Sequence, residues 1–419
     1  MSKPAARDYH ITNPWRGCRT TADVGELYIL ENTGYANVTD DISEIENKKT
    51  GTIIISEDTV GTIVRNSGEM TVLDAAALTV TPSEVKKAEI TNDGVMTLIG
   101  PLGMWGDSEL RNNGTIRATG EGLISPGGGE GTTAEIYNTG VIRGERTVIY
   151  VIADGKHGQG QDSVHIHNAG TIIGDIEDSE ENDYAIVMTN ERGGKWSSSF
   201  TGHKISDTEN GETKYLTITN NGSISTIKNT GGKSGEIKTK QITNNGEIDI
   251  RQGPLTIHGD YQAGTGARIV TGGALLGDET IIPTLTINGR VDGGTTHVRV
   301  DNLGGTGSET RDGILVVRAD TVDGEGFTKE GRIVAGAYDY DLVRVESGDH
   351  TEWRLTSALT PVPPGPEPGP EPVPPAPVHV VRPEAVTYAE NLRQANTLFM
   401  TDSEQRRAVG EYTDPVTGR

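Results

Sequence analysis

Short runs of β-branched and aliphatic residues alternate with polar, glycine-rich turns through most of this chain. In a full unit, an apolar and a polar residue precede the triplet Asn-x-Gly, and isoleucine or a similar residue follows two positions after the glycine. The flanking residues favour strands, whereas Asn and Gly tolerate positive φ and favour corners. The pattern therefore predicts short strands that are joined by tight turns at the triplet.

The triplet recurs at intervals that suit a solenoid. It begins at Asn32, Asn66, Asn92, Asn112, Asn138, Asn168, Asn220, Asn229 and Asn244. From Asn66 to Asn168 the steps are 26, 20, 26 and 30 residues, which suits one coil of a repeat protein. Each coil buries its inner face only by stacking on the next coil. We therefore predict an all-β fold, a right-handed parallel β-helix, over residues 1–254.

Two segments interrupt the rhythm and are predicted to be inserts. Residues 120–133 are rich in glycine, and residues 178–211 are polar but contain Trp196 and Phe200. The second segment accounts for the long interval before Asn220. Insertions in solenoids leave as loops on one face, often the binding face. Residues 178–211 are therefore a candidate recognition loop.

The pattern of apolar and polar residues changes near Pro254. Longer strands follow, and aromatic residues recur with the two-residue period that places them on one face of a strand, as in residues 337–345 and 352–357. This pattern is typical of antiparallel hairpins. We predict that residues 255–357 cover the open end of the solenoid.

A spacer and a helix follow the predicted cap. Residues 361–377 hold ten prolines, and we expect residues 358–381 to form an extended polyproline linker. Residues 382–419 then begin with a helix that runs from Pro383 to about Met400. Its apolar stripe consists of Ala385, Tyr388, Leu392, Ala395 and Phe399.

Composition supports a thin solenoid core. Only 33% of the residues are apolar and 5% are aromatic, and glycine occurs 56 times. A globular α/β enzyme of this length needs more large side chains. The net charge of −23 repels phosphate backbones, so we expect no nucleic-acid partner. The single cysteine, Cys18, excludes an internal disulfide and a cysteine-based metal site.

The chain also lacks the sequence signals of membrane insertion. Its first eight residues contain no apolar region typical of a signal peptide. The longest apolar stretch, residues 148–153, is far shorter than the ~20 residues of a spanning helix. We therefore expect neither a signal peptide nor a transmembrane segment in this chain.

The sequence Gly106-Asp107-Ser108-Glu109-Leu110 is similar to two serine-hydrolase motifs. In the trypsin-like motif a glycine follows the serine and frees backbone amides for the oxyanion hole, whereas Glu109 stands at that position. In the lipase-type motif leucine follows the serine directly, and Glu109 again intervenes. We predict a plain turn before a repeat strand.

Two further clusters are candidates for ligand binding. His157, His165 and His167 are close in sequence, and the last two share a strand face, but no third ligand is spaced to complete a metal site. The glycine-rich run 127–131 lacks the lysine of a phosphate loop. We therefore expect no catalytic residue, no cofactor and no metal, and the sequence assigns no binding residue.

The C-terminal half resembles the pertactin-type autotransporters. Residues 312–317, 332–343 and 353–357 are similar to the autochaperone segment of these passengers. Residues 382–388 with 395–401 look like the linker helix that leads into their barrel, and residues 411–414 with 417–418 look like the approach to its first strand.

The resemblance carries expectations about location and partners. Such proteins are exported by Gram-negative bacteria as cell-surface passengers that are attached to an outer-membrane translocator barrel. It implies that residues 255–357 nucleate and cap folding of the coil, which is reasonable because solenoids fold outward from one stable end. It also implies a location at the cell surface or outer membrane.

These observations lead to one functional expectation and two alternatives. We expect a non-enzymatic passenger that contacts a host surface or matrix ligand through loops of the β-helix. The first alternative is a polysaccharide lyase or hydrolase, in which coils bring carboxylates together across the solenoid. The second alternative is a truncated remnant that is not exported.

Overall fold

The protein is described by a computed structural model. The described residues are 9–357 and the helix Pro383–Thr397, with gaps at residues 14–15, 21–27, 40, 84–85, 129–130, 154–162, 179–184, 201–207, 210–211, 214–215 and 229–233. The predictions for His157, Asn229, the proline linker and residues 398–419 therefore lie outside the described residues.

One face of the solenoid is built by the strands that lead up to the recurrent asparagines, and we call it the asparagine face. Its strands pair in parallel with the equivalent strand of the next coil, and Leu110 lies beside Ile90 on one side and Ile136 on the other. The strands of this face are Tyr9–Asn13, Tyr28–Asn32, Glu44–Asn47, Ile63–Asn66, Ala88–Asn92, Ser108–Asn112, Thr133–Asn138, Ser163–Asn168, Ala185–Asn190, Leu216–Asn220, Gly235–Asn244, Leu255–Ala263, Leu285–Gly293 and Ile314–Val322.

A second face follows each asparagine corner. Its parallel strands are Arg16–Thr20, Tyr35–Val38, Thr52–Ile55, Glu69–Val72, Val95–Leu98, Thr115–Ala118, Val141–Ala153, Thr171–Asp178, Lys195–Ser198, Ser223–Thr226, Glu247–Asp249, Arg268–Gly273, Thr296–Asn302 and Phe327–Lys329.

A third face closes the coil in the first half of the molecule. It consists of Thr59–Gly61, Leu78–Val80, Leu102–Trp105 and Ile124–Gly128, and it is continued by the second halves of Val141–Ala153 and Thr171–Asp178. A small antiparallel pair, Thr208–Glu209 with Glu212–Thr213, lies outside these faces. The prediction of a parallel β-helix is confirmed.

The C-terminal end is closed by antiparallel strands. His350–Thr356 pairs with the last strand of the asparagine face, Ile314–Val322, and with Tyr338–Ser347, which in turn pairs with Ile333–Ala335. The antiparallel cap is shorter than the sequence indicated, because Leu255–Ala263 and Leu285–Gly293 still form parallel coils. The predicted boundary at residues 254 and 255 stays a prediction.

The core is a set of stacked aliphatic columns. Within the asparagine face, Val64, Ile90, Leu110, Ile136 and Ile166 follow one another in register, and all are essentially inaccessible to solvent. Full burial of each such side chain is worth about 1.5–3 kcal/mol. Two or three inward side chains per strand therefore suffice for a narrow core, which explains the low apolar content.

The asparagine side chains form a buried hydrogen-bonded ladder inside the corner. Each Nδ2 donates to Oδ1 of the asparagine in the next coil at 2.8–2.9 Å. The ladder consists of Asn32, Asn47, Asn66, Asn92, Asn112, Asn138, Asn168, Asn190, Asn220 and Asn244. The same Nδ2 also donates to a backbone oxygen beyond the corner, as from Asn112 to Val141 at 3.2 Å. The ladder thereby satisfies amide groups that would otherwise be costly to bury.

The corner glycines have a different role from the one that the sequence indicated. None of the described triplet glycines has positive φ, and among the described residues Phe200, with φ of 51°, is the single non-glycine with positive φ. Corners of successive coils instead lie so close that a Cβ on Gly114 would collide with the carbonyl oxygen of Gly94. The triplet therefore selects glycine for close backbone approach rather than for left-handed geometry.

The two predicted inserts are largely regular coils. Within residues 178–211, Ala185–Asn190 and Lys195–Ser198 pair with the coils before and after them. Trp196 occupies the inward position that isoleucine fills in the neighbouring coils, and Phe200 is also fully buried. Within residues 120–133, Ile124–Gly128 belongs to the third face. The prediction of two external inserts was wrong over these strands.

A single helix, Pro383–Thr397, follows the described part of the solenoid. Its predicted stripe is exposed where its side chains are described: Tyr388 is 70% exposed and Leu392 is 66% exposed. No helix among the described residues is long and apolar enough to cross a membrane.

We predict that Asn112→Ala destabilises the solenoid much more than Asn113→Ala, although both residues belong to one triplet. Removing Asn112 leaves a buried donor on Asn92 and a buried acceptor on Asn138 unpaired, and each costs about 1–3 kcal/mol. Asn113 makes exposed hydrogen bonds to Asp93 and Thr139, so its replacement should change stability by less than about 0.5 kcal/mol. Urea unfolding followed by circular dichroism measures both, and equal midpoints for the two variants would contradict the ladder's role.

Candidate functional site

The serine of the hydrolase-like motif points into the core. Ser108 begins an asparagine-face strand and lies between Ala88 and Ala134 in neighbouring coils, with 0% of its surface exposed. Its Oγ has no hydrogen-bond partner within the described residues. Asp107 precedes it in the turn and accepts a hydrogen bond from the backbone N of Thr133 at 3.0 Å. A nucleophile needs both access and an adjacent base, and Ser108 has neither.

The two described histidines of the predicted cluster lie on the outer side of the asparagine face. Their ring centroids are 6.4 Å apart, with His165 edge-on to His167. His167 stacks on Tyr137 at 4.8 Å, and the Arg111 guanidinium lies 4.5 Å from the centre of the Tyr137 ring. These aromatic faces therefore contact one another. Among the described residues, no group of three or more His, Cys, Asp or Glu residues could hold a metal ion.

Adjacent coils do bring carboxylates together. Glu89, Glu109 and Glu135 lie side by side on the outer surface, in register across three strands. The ammonium group of Lys87 lies 3.5 Å from Glu109 and 3.1 Å from Glu135. The sequence could not show this column, because the three glutamates come from separate repeats with different spacings.

The protonation properties of this column do not match acid–base catalysis. Burial opposes the charge on Lys87, but its hydrogen bond to Glu135 and the charges of both glutamates raise its pKa. Burial would raise the pKa of Glu135, but the hydrogen bond and charge of Lys87 lower it. A general acid needs a raised carboxyl pKa and a lysine base needs a lowered one. The raised pKa of Lys87 and the lowered pKa of Glu135 are both opposite to these requirements.

A side groove lies beside this column. Its wall on one side is formed by residues 81–83 and 86–87, and its other wall is the outer surface of the asparagine face. The cavity of about 620 Å³ is lined by Pro82, Ser83, Lys86, Lys87, Asp107, Thr133, Glu135 and His165. Lys86 is paired with Glu44, two strands earlier along the same face.

The two corners that flank the asparagine face differ. The corner that leaves this face is a two-residue turn in most coils, as after Asn92 and Asn112. The opposite corner, through which the chain returns to this face, carries connections of very different lengths. We call it the loop edge. The described strands that meet there are separated in sequence by connections as long as residues 81–87, 129–132, 154–162, 179–184, 199–215 and 227–234.

At the C-terminal end the asparagine ladder passes into an aromatic plug. Asn244 Nδ2 donates to the hydroxyl of Tyr261 at 3.0 Å, and this hydroxyl also bonds Thr296 Oγ1 at 2.9 Å. Burial raises the pKa of Tyr261 to about 12. The Tyr261 ring stacks on Phe327 at 5.9 Å, and Phe327 meets Trp353 of the antiparallel cap edge-on at 4.7 Å.

Polar contacts fix the antiparallel cap on this plug. The Tyr340 hydroxyl donates to the carbonyl oxygen of Ser308 at 2.8 Å and accepts from its backbone N at 3.0 Å. Thr310 and Ser357 exchange backbone-to-hydroxyl hydrogen bonds of 2.9 and 2.8 Å. Gly326 has φ of 72°, and a Cβ there would lie 2.6 Å from the Trp353 ring. The cap is therefore anchored by packing and by specific hydrogen bonds.

We predict that Ser108→Ala stabilises the protein. The substitution removes a buried hydroxyl without a partner, and leaving such a group unpaired costs about 1–3 kcal/mol. Ser163→Ala is the control, because the Ser163 hydroxyl on the outer surface bonds Thr133. Thermal unfolding should show a higher midpoint for Ser108→Ala alone, and a lower midpoint would mean that the hydroxyl has a partner.

Comparison with known proteins agrees with this geometry. The family described as "Autochaperone Domain Type 1" matches residues 223–342, which begin before Pro254 and end inside the antiparallel cap. The Escherichia coli autotransporter adhesin AIDA-I is 35% identical over 161 residues, which are 37% of this chain and 11% of that protein.

Two other proteins match a similar share of this chain. The uncharacterized protein YuaQ of Escherichia coli K12 is 37% identical over 166 residues, covering 39% of this chain and 12% of its own length. The adhesin BmaC autotransporter of Brucella suis biovar 1 is 32% identical over 161 residues, or 35% of this chain and 4% of its own. The chain thus matches only a small part of each relative. The autochaperone match, these relatives and the capped β-helix confirm the resemblance of this chain to autotransporter passengers.

Proposed function

We propose that this chain is a non-enzymatic cell-surface passenger, and that it adheres to a host surface or matrix through its loop edge. The observation that carries this proposal is the asymmetry of the corners. The tight corners are fixed by the buried asparagines and by glycines in close backbone contact. The loop edge accommodates connections of many lengths without disturbing the ladder. Binding functions are commonly placed on such loops over a rigid scaffold.

The names of two relatives support the adhesive role. AIDA-I and BmaC are both called adhesins. By analogy, we propose that this passenger is displayed at the cell surface by an outer-membrane translocator barrel. The helix Pro383–Thr397, with Tyr388 and Leu392 exposed, is the segment through which the passenger would approach that barrel.

The enzymatic alternative is the weaker proposal. The Glu109–Glu135 pair meets the requirement for carboxylates that coils bring together, but Lys87 bridges the pair and lowers the pKa of Glu135. Incubation with pectin, alginate and glycosaminoglycans followed by a reducing-end assay tests this alternative. Release of reducing ends that is lost in Glu135→Gln would replace the adhesive proposal with an enzymatic one.

We predict that shortening the loop edge reduces adhesion and leaves the coil folded. Residues 179–184 and 201–215 would each be replaced by a short Gly/Ser turn, because both connect the ends of regular strands. Beads coated with the full chain are tested on epithelial monolayers and on immobilised collagen, laminin and fibronectin. We expect at least a fivefold loss of attached beads with an unchanged circular dichroism spectrum.

The control for this experiment is Arg192→Ala. Arg192 is exposed at the corner that leaves the asparagine face, within the coil that lies between the two shortened connections. Adhesion should be unchanged in this variant. Full adhesion by the shortened protein would remove both connections as recognition elements.

We also propose that the plug and antiparallel cap start folding of the solenoid, and we predict that Trp353→Ala slows refolding. Trp353 is 1% exposed, and truncation of a buried tryptophan costs about 3–5 kcal/mol. The control is Val345→Ala in the same hairpin, because Val345 is 39% exposed. Dilution from urea, followed by circular dichroism, should show slower recovery for Trp353→Ala only. Unchanged refolding in a variant with a lower unfolding midpoint would assign the cap to stability alone.

A further inference from the structure

The side groove has features of a binding site that core packing and the cap do not explain. Its volume of about 620 Å³ lies in the range of ligand sites in proteins, about 300–1,000 Å³. One wall is formed by residues 81–83 and 86–87, and the other by Asp107 in a turn and by outward residues of two successive asparagine-face strands, Thr133–Asn138 and Ser163–Asn168. The strands hold one wall rigidly in register, and Lys86 and Lys87 fix the other wall through ion pairs.

The charges of the groove exclude several ligand classes. The ammonium group of Lys86 is paired with Glu44, and that of Lys87 is paired with Glu109 and Glu135. No excess positive charge is left to select an anion. Pro82 is the single apolar residue of the lining, so an apolar ligand would leave the charged and hydroxyl groups of the groove without partners.

An extended peptide is also a poor match. Peptides that add a strand need a sheet edge with unpaired backbone groups. The groove instead lies on the flat surface of the sheet, where the strand Thr133–Asn138 is paired on both sides. Backbone groups of these strands are therefore not offered to a ligand.

The remaining lining suits a ligand with many hydroxyl groups. Asp107 and Glu135 provide carboxylate acceptors, Ser83 and Thr133 provide hydroxyls, and Lys87 has three N–H donors. The ring nitrogens of His165 make no hydrogen bond within the described residues, so this ring edge is available to a ligand. The lining thus offers both donors and acceptors, as the hydroxyls of a sugar chain require.

We propose that the side groove binds a neutral oligosaccharide, with Glu135, Lys87 and His165 as the principal contacts. This proposal rests on the proposed adhesive function, because it names the chemical class of ligand that adhesion would use. The outward positions of neighbouring strands recur about every 4.8 Å along the solenoid. The sugar chain therefore runs along the solenoid axis, across the strands.

The test is binding of the labelled full chain to an array of neutral and acidic oligosaccharides, followed by titration of the best ligand. The groove variants are His165→Ala and Glu135→Gln. The controls are His258→Ala and Glu236→Gln, which alter a similar outward pair further along the solenoid, with Nε2 and Oε2 3.7 Å apart. We expect binding to neutral oligosaccharides, a loss of at least tenfold in affinity for the groove variants and no change for the controls.

Three results would overturn the inference: no binding above background, binding of acidic oligosaccharides alone, or equal affinities for groove and control variants. The bead adhesion assay runs in parallel and separates this inference from the broader proposal. Adhesion that survives both groove variants but is lost on shortening the loop edge refutes the oligosaccharide site and retains the adhesive function. If the groove variants lose adhesion and oligosaccharide binding together, the result supports both the adhesive function and the oligosaccharide site.

Discussion

The buried asparagine ladder is the interaction on which the rest of this solenoid depends. Each asparagine amide is inaccessible to solvent and finds its partners in the coils before and after it. A buried polar group without partners is costly. Each coil therefore takes the register in which its asparagine amide bonds the amide of the next coil. The aliphatic columns supply the apolar driving force but tolerate small shifts. The ladder supplies the directional constraint, and it fixes the register of the corners from Asn32 to Asn244.

The sequence was sufficient to predict the repeat architecture because the ladder residues are visible as Asn-x-Gly. The sequence pattern was insufficient at Asn47 and Asn190. There, three residues separate the asparagine from the corner glycine, which is Gly51 or Gly194. The coil at Asn190 was therefore mistaken for an insert. Trp196 reinforced the error, because tryptophan occupies a position that is isoleucine in the adjacent coils. A search for asparagine at the end of an apolar-alternating strand, whatever the corner length, would have found both.

Other features could not be read from one coil at a time. The Glu109–Glu135 column and the side groove depend on register between coils, which variable connection lengths conceal. The role of the corner glycines depends on the approach of a neighbouring backbone, whereas the sequence suggested positive φ. The antiparallel pairing predicted from residues 337–345 and 352–357 is confirmed. The sequence could not show that Leu255–Ala263 and Leu285–Gly293 are still parallel, because both kinds of strand share the same alternation of side chains. Pairing partners, unlike alternation, are a property of the whole fold.

The asparagine ladder gives the molecule a chemical head and tail. Every ladder amide donates toward the C-terminus and accepts from the N-terminus. The last donation ends on the Tyr261 hydroxyl, whose own proton is then available to Thr296. Reversing one amide would set donor against donor and acceptor against acceptor at its two neighbours. The backbone carbonyls fix this common orientation, because an amide oxygen turned toward Val141 O or Thr115 O could form no hydrogen bond there.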